Sequence, residues 1–377
     1  MEFLFLANFT EILQYAGYVL IAVLVLLAMI TVHEFGHYIT GKMLGFGIEE
    51  FAIGFGPKLF SKTKKNGEIF SVRLLPLGGF CAFLGEDKDE ADPKAFNNRK
   101  PWQRLIVLVS GAAMNYIFAL LLICVMFGGY GTTALMAYEV SPENPSGITL
   151  TEENSFISRD KIVSVNGKNV FIVTDLISAI EGKKAGETVP FEIVRKGEKK
   201  NIEILLRADA SFYSVEDLTT LCRSLGIKYS EDENGTLLSH GLATTSVRRG
   251  FFDTIGASFQ YSARLAGTVF TVLHQLLTGK IGISSLGGTI TTISVAANVI
   301  KAGSLWGLMN IASFIGVNLA VFNLLPIPAL DGSRALFAII EWIRKKPLNR
   351  KVEGIIHTVG FIAILLFAIF VDLQRCF

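Results

Sequence analysis

Residues 28–37 read Ala-Met-Ile-Thr-Val-His-Glu-Phe-Gly-His, an H-E-x-x-H pattern that closes an apolar run. From Ile12 to Val32 there is no charge. A run of that length crosses hydrocarbon as a helix, where all backbone groups are satisfied internally. On a helix, His33 and His37 are one turn apart, so both rings project to one side. Two imidazoles so placed hold one zinc ion, and Glu34 is placed to act as the base on a water at that metal. In a soluble polar helix the five-residue pattern is only moderately specific. At a membrane-embedded helix end, hydrocarbon penalises each ionisable group by several kcal/mol, so three together need a reason, and a metal supplies it. The alternative is a buried polar cluster that packs three helices together.

The rest of the composition agrees with a membrane setting. Of 377 residues, 51% are hydrophobic and only 18% charged, and mean hydropathy is +0.47. Soluble domains usually carry about 25% charge. The apolar excess falls in blocks, which indicates an integral membrane protein with a soluble insert. A net charge of +2 gives no sign of a nucleic-acid partner. Cys81, Cys124, Cys222 and Cys376 lie far apart without a C-x-x-C pair, so neither a thiolate zinc site nor a disulfide framework is indicated. The first apolar run lacks a basic leader and reads as a retained span.

Four spans are expected: Tyr15 to Ile39, Arg104 to Phe127, one between Lys301 and Asp331, and Gly354 to Val371. Basic residues orient them. The loop from Tyr38 to Arg104 holds eleven Lys or Arg, and the connection between the last two spans holds six, whereas Met1–Glu11 and Phe127–Gly147 hold none. Both termini and the central domain are therefore expected outside, with the H-E-x-x-H end toward the cytoplasm.

Within the first basic loop, Gly54-Phe55-Gly56-Pro57 breaks the chain, and Asn66-Gly67 between two apolar runs signals a hairpin. Strands this apolar beside a membrane site suggest a hairpin dipping against the bilayer or the active site, its open edge buried in protein or lining a cavity. Ala134 to Arg207 is polar enough for a soluble domain: strand and turn over Lys161–Lys168, a helix over Thr174–Ile180, then strands Val189–Val194 and Asn201–Leu206 about Lys196-Gly197. That order fits a small mixed β-domain with a peptide-binding groove. Glu231–Gly235 reads as an exposed loop. Ile255, Phe259, Ser262, Ala266, Val269, Leu273 and Leu276 mark an amphipathic helix of the outer interface. Ile281–Ile300, uncharged but rich in Gly, Ser and Thr, reads as a re-entrant segment in preference to a fifth span. The implied divisions are 1–130, 131–250, 251–300 and 301–377.

A catalytic zinc takes three protein ligands and leaves one position open. Asp331 ends Asn323-Leu-Leu-Pro-Ile-Pro-Ala-Leu-Asp331-Gly332, where Pro326 and Pro328 must unwind the third span on the same side as His33. His357, at the inner start of the last span, is the reserve ligand.

With these two motifs in order, the sequence resembles the site-2 protease family of intramembrane zinc metalloproteases, in particular bacterial members of the regulator-of-sigma-E protease type. Pro76-Leu77-Gly78-Gly79-Phe80 and Ser110-Gly111-Ala112-Ala113-Met114-Asn115 resemble the same family. Departures from its pattern are Leu286-Gly287-Gly288 in place of a Gly-Pro pair, Ala112-Ala113 in place of a small-Pro pair, and Ser333 in place of a second glycine; none removes a ligand. The resemblance implies an α-helical integral membrane protein of the bacterial inner (plasma) membrane, with about four transmembrane helices, a membrane-associated β-hairpin loop and an inserted extracytoplasmic PDZ-like α+β domain. It implies Zn2+ held by His33, His37 and Asp331, with Glu34 as the acid-base group. Asn323 is expected to face the metal and to donate to the developing oxyanion. Ile69, Phe70, Ser71, Val72, Arg73 and Leu74 are expected to form an edge strand that holds an extended substrate by main-chain pairing. Partners would be single-span membrane proteins such as trimmed anti-sigma factors or signal-peptide remnants, the lipid bilayer, and peptide C-termini at the PDZ-like domain. Two other classes are a non-catalytic membrane binding module, against which an intact Glu34 argues, and a metal transporter, which would need polar groups through the full membrane depth.

Overall fold

The computed structural model describes residues 2–86, 88, 90–142, 149–212, 217–232, 237–279, 282 and 287–374, with backbone alone at 2–10, 77 and 289. The loop expected at 231–235 lies outside the described residues from 233 onward, as do 281 and 283–286 of the segment expected to be re-entrant. The chain forms two compact units, Met1–Ile123 with Ser262–Phe377, and Cys124–Tyr261.

The first unit opens with α1 (Glu2–Met43), the long strands β1 (Ile48–Thr63) and β2 (Ile69–Phe83), and α2 (Pro101–Tyr130). Along α1, Ala22, Met29, His33 and His37 are buried at helical spacing, while Leu20, Ile21 and Leu24 are exposed. A helix apolar all round can do this only where lipid covers its outer face.

The two strands fold back on themselves. Gly54 and Gly56 adopt φ of +86° and +81°, and the bend they make doubles β1 around β2. Ile69–Val72 consequently pairs with Thr63–Phe60 on one side and with Glu50–Ile53 on the other, and Glu50–Ile53 pairs in turn with Gly79–Ala82. This corrects the expectation of an edge at Ile69–Leu74: over 69–72 both backbone edges are already used. Ser71 and Arg73 point to Glu50, which accepts from Ser71 Oγ at 2.5 Å and from Arg73 Nη2 at 2.8 Å. The turn end of the sheet is tied to α1 one residue beyond His37. There the Tyr38 hydroxyl donates to Glu68 at 2.6 Å, and Lys42 and Lys64 pair with the same carboxylate. Burial would raise the Glu68 pKa, but the hydrogen bonds from Lys64, Tyr38 and Lys42 hold it at about 2.

The second unit holds β3 (Thr132–Ala137), β4 (Asp160–Val165), β5 (Lys168–Asn169), α3 (Val173–Ile180), β6 (Thr188–Arg195), β7 (Glu198–Leu205), α4 (Leu218–Leu225), β8 (Tyr229–Glu231), β9 (Leu237–His240) and β10 (Leu242–Val247). Its main sheet runs β10-β3-β4-β6-β7, with β5 paired to β4. Tight turns set the register: Asn166-Gly167 and Lys196-Gly197 both carry positive φ at their two central residues, the twist that suits a two-residue hairpin. Phe156, Ile162, Leu176, Ile180, Phe191 and Leu221 fill the core.

The chain returns through α5 (Phe251–Leu277), then α6 (Thr289–Lys301), α7 (Leu305–Leu324), α8 (Asp331–Arg344) and α9 (Arg350–Gln374). On α5 the buried face is Ala257, Ser258, Tyr261, Ser262, Leu265 and Val269, with Phe259 and Phe270 exposed. Of the expected stripe, Ser262 and Val269 are on this buried face and Phe259 is exposed; the small residues of the face allow close helix approach. Among the described residues, four helices are long and apolar enough to cross a membrane: Glu11–Met43, Pro101–Tyr130, Leu305–Leu324 and Arg350–Gln374. The 13 residues of α6 extend about 20 Å, short of the roughly 30 Å of hydrocarbon. Ala296 and Ala297 of α6 pack on Ala22 of α1.

Two apolar clusters flank the centre of the first unit. One joins Met29 of α1 to Ala312 and Ile315 of α7, with Phe118 of α2 against them. The other gathers Phe46, Phe83, Phe96, Val107 and Leu108 with Ala335 and Ala338 of α8.

In the second unit, Arg195 meets the Asp160 carboxylate with two nitrogens, at 2.9 and 2.6 Å, and both residues are buried. Arg195→Leu strands the aspartate charge and is expected to destabilise this unit by about 3–5 kcal/mol. Hydrogen exchange over β4 and β6 should accelerate, with α1 and α2 unchanged.

Candidate metal centre

The site assembles from the two ends of the chain. α1 presents His33 and His37 one turn apart on its buried side. α7 ends at Leu324 because Pro326 has no N–H and forces Leu325 into an extended conformation, φ −68° and ψ 144°. The chain reverses, and α8 begins at Asp331. That turn is tight: a Cβ on Gly332 would collide with the carbonyl oxygens of Leu324 and Leu325, so only glycine fits after the aspartate.

Three ligand atoms converge there. Asp331 Oδ2 lies 2.8 Å from His33 Nε2 and 3.2 Å from His37 Nε2, and the two nitrogens are 3.1 Å apart. Ligands about 2.0–2.1 Å from a tetrahedral zinc sit about 3.3 Å from one another. The triangle therefore has the size of one face of such a coordination sphere. Mutual hydrogen bonding accounts for it poorly, since two ring nitrogens and a carboxylate oxygen in a closed triangle cannot all have linear donors. His37 Nδ1 lies 2.8 Å from the Val107 carbonyl oxygen, an acceptor that puts the ring proton on Nδ1 and frees the Nε2 lone pair for a metal. His33 and His37 are buried, while the Asp331 side chain keeps 22% exposure.

Gly111 of α2 closes the cradle. A Cβ at this position would strike His37 Nε2 and the His33 ring, so α2 can back the two imidazoles only with glycine there. In sequence, Gly111 stands out only as part of the Ser110–Asn115 motif, which by itself marks no role for it. The structure also brings the second half of β2 to the site: the Cys81 backbone N–H faces the Glu34 carboxylate, and a Cβ on Gly79 would lie 3.7 Å from Glu34 Cγ.

Other expected residues are placed as follows. Asn323 is in the last turn of α7, partly buried, and its side chain makes no hydrogen bond among the described residues. Ile69–Val72 lies in the interior of the β1–β2 sheet, paired on both sides, and Arg73 pairs with Lys58. His357 is not in the ligand triangle; its Nδ1 accepts from the Ala329 N–H at 3.1 Å.

Comparison with known proteins gives a consistent picture. The family model described as Peptidase family M50 matches residues 21–367, which include both halves of the triangle. A protein of Clostridium perfringens, provisionally named a zinc metalloprotease, is 32% identical over 354 residues, covering 92% of this chain and 95% of its own. A similarly named protein of Clostridium acetobutylicum is 28% identical, with 94% and 96% covered. The zinc metalloprotease RasP of Bacillus licheniformis is 27% identical, with 94% and 98% covered.

Gly111→Val is expected to force α2 off the imidazoles and to lower zinc content of the purified protein to a small fraction of the parent. Gly17→Ala, on an open face of α1, should leave it unchanged. Metal analysis of both after dialysis reads the difference.

Proposed function

The chain belongs to peptidase family M50, the site-2 proteases, and on that premise we propose that it is an intramembrane endopeptidase that cuts the transmembrane segments of single-span membrane proteins. Its membership makes it a zinc metallopeptidase, a hydrolase. The observation that carries the finer reading is the ligand triangle itself, built by α1 and the α7–α8 junction among four helices long enough to cross a membrane.

His33, His37 and Asp331 would hold the zinc. When bound, the metal supplies a Lewis acid that brings the pKa of water toward 7 and polarises a carbonyl. Glu34, adjacent to His33 in sequence, then accepts the water proton and passes it to the leaving amine. Asn323 would donate to the oxyanion with its unused amide, a contribution worth about 10²- to 10³-fold where such donors have been removed. Substrate would lie along the outer edge of Gly79–Phe83. This segment is paired on one side only, to β1, and its Cys81 N–H already reaches Glu34. An extended substrate added there has its scissile bond beside the base. The second unit, with its tight-turned mixed sheet, would serve as a PDZ-like domain binding peptide C-termini. The distribution of basic residues over the loops supports this unit lying outside and the metal toward the cytoplasm, in a bacterial inner membrane.

Glu34→Gln is expected to retain zinc and lose cleavage of a model single-span substrate in detergent. Asn323→Leu should retain zinc and lower turnover about 100-fold. Parent-like cleavage by the Glu34 variant would overturn the mechanism.

A photo-crosslinking residue at Phe80 is expected to capture that substrate in the Glu34→Gln background. The same residue at Phe60, on the opposite edge of the sheet, should not. Capture at Phe60 alone would assign the substrate to the other edge.

A further inference from the structure

The stretch 325–330 between α7 and α8 leads into the Asp331 ligand. Ala329, two residues before Asp331, sits at φ +76°, a left-handed conformation that is unfavourable for a non-glycine residue. It is the third residue of a turn that the Leu330 N–H closes on the Ile327 carbonyl at 3.1 Å, with Pro328 second, an arrangement in which such a φ occurs. The turn leaves the Ala329 N–H for a partner that can hold it from outside. α9 does so in two places on one face. His357 Nδ1 accepts the Ala329 N–H at 3.1 Å and lies 3.5 Å from Ser333 Oγ. One turn on, Gly360 packs so closely on Pro328 that a Cβ there would overlap its ring.

The backbone donor fixes the tautomer. Nδ1 must be unprotonated to accept, so the ring proton is on Nε2, which points toward Glu353 Oε1 at 4.0 Å. The Ser333 hydroxyl is already committed to the Leu330 carbonyl at 2.8 Å. His357 is thus the group that satisfies the strained peptide. Without it, the Ala329 N–H would lose its protein partner, and the turn would no longer be held from α9. The stretch would relax toward ordinary φ values, and Asp331 would move with it.

We propose that His357 is a positioning residue for the metal centre: by holding the Ala329 peptide from α9, it fixes the Asp331 carboxylate against His33 and His37. The inference rests on the metal reading of those three residues. Groups that orient ligands in this way typically change metal affinity by about 10- to 100-fold when removed.

The test uses the full-length protein in detergent, with zinc affinity measured by chelator competition and the melting temperature measured on chelator-treated protein. His357→Leu removes the acceptor. His357→Asn keeps one at a similar position. The expected result is a 10- to 100-fold weaker zinc affinity for the Leu variant, parent-like affinity for the Asn variant, and the same metal-free melting temperature for all three. Ala329→Gly, which removes the φ strain, should recover part of the affinity lost by the Leu variant. Equal zinc affinity in parent and Leu variant would overturn the proposal. So would a parallel loss of affinity and metal-free stability in both His357 variants, since that marks packing rather than positioning. A parent protein without zinc would instead overturn the metal reading beneath it.

Discussion

Three polar atoms held within 3.2 Å of one another, at the end of a helix otherwise apolar all round, form a cluster that hydrocarbon penalises and that the proposed zinc would satisfy. Much of the first unit follows from this. A carboxylate buried beside two imidazoles must be brought to a fixed point, because Coulomb attraction in a low-dielectric interior is strong only at contact and desolvation is costly throughout. Gly111 lets α2 approach, Gly332 lets the chain turn sharply before α8, and the two prolines end α7 where the turn is needed. Each places backbone rather than side chain at closest approach. Helices in lipid have little hydrophobic drive to associate, so close packing of backbones takes its place.

His33 and Asp331 are 298 residues apart in sequence, and the long inserted unit lies between them in the chain. Bringing them together depends on contacts that do not involve the insert. Met29, Ala312 and Ile315 lock α1 to α7 one turn from the ligands, and Arg104 of α2 pairs with Glu341 of α8 at 2.6 Å. The aromatic cluster of Phe46, Phe83 and Phe96 ties the strand region to α8. The metal centre therefore sits between two apolar clusters. Loss of metal need not collapse either of them, since neither includes a ligand.

Much of this was legible in the sequence where chemistry is local. The i, i+4 histidines, the break at Pro326 and Pro328, and the Asn-Gly and Lys-Gly turns each declare themselves through a few adjacent residues with one favoured conformation. What was not legible depended on pairing between distant segments. Ile69–Leu74 has the composition of a strand whether it lies at an edge or in the middle; only the doubling of β1 at Gly54 and Gly56 decides, and the depth of that bend is not written in either strand. On α5, Ser262 and Val269 of the apolar stripe are buried, and Ala257 and Ser258 are buried with them; hydropathy periodicity does not mark these two, because it weights large apolar residues over the small ones that let helices approach closely. Gly111 was invisible as a functional residue because its contribution is the absence of a side chain, measurable only once the imidazoles are in place. His357 was read as a reserve ligand from its position at a span end, and its actual partner is a peptide N–H that no sequence pattern marks.

The placement of Gly79–Phe83 bears on how a helical substrate is opened. A transmembrane helix satisfies every backbone group internally, and unwinding it in hydrocarbon exposes N–H and C=O groups at several kcal/mol each. Those groups need new partners at the moment of unwinding. In the proposed reading the partners are the outward backbone groups of this one-sided segment, and the substrate that takes them is delivered next to Glu34, because the Cys81 N–H on the same edge already faces that carboxylate. Had Ile69–Val72 remained the free edge, unwinding and chemistry would occur at different places, and the energy regained by pairing would not favour the reactive geometry. With the edge beside the base, each backbone hydrogen bond the substrate forms also places its carbonyl nearer to the ligand triangle, so pairing energy is spent on positioning. Glycine at 79 suits this arrangement: a side chain there would meet the Ala52 carbonyl of β1 and lie against Glu34, so its absence lets the segment keep its pairing to β1 while staying beside the base.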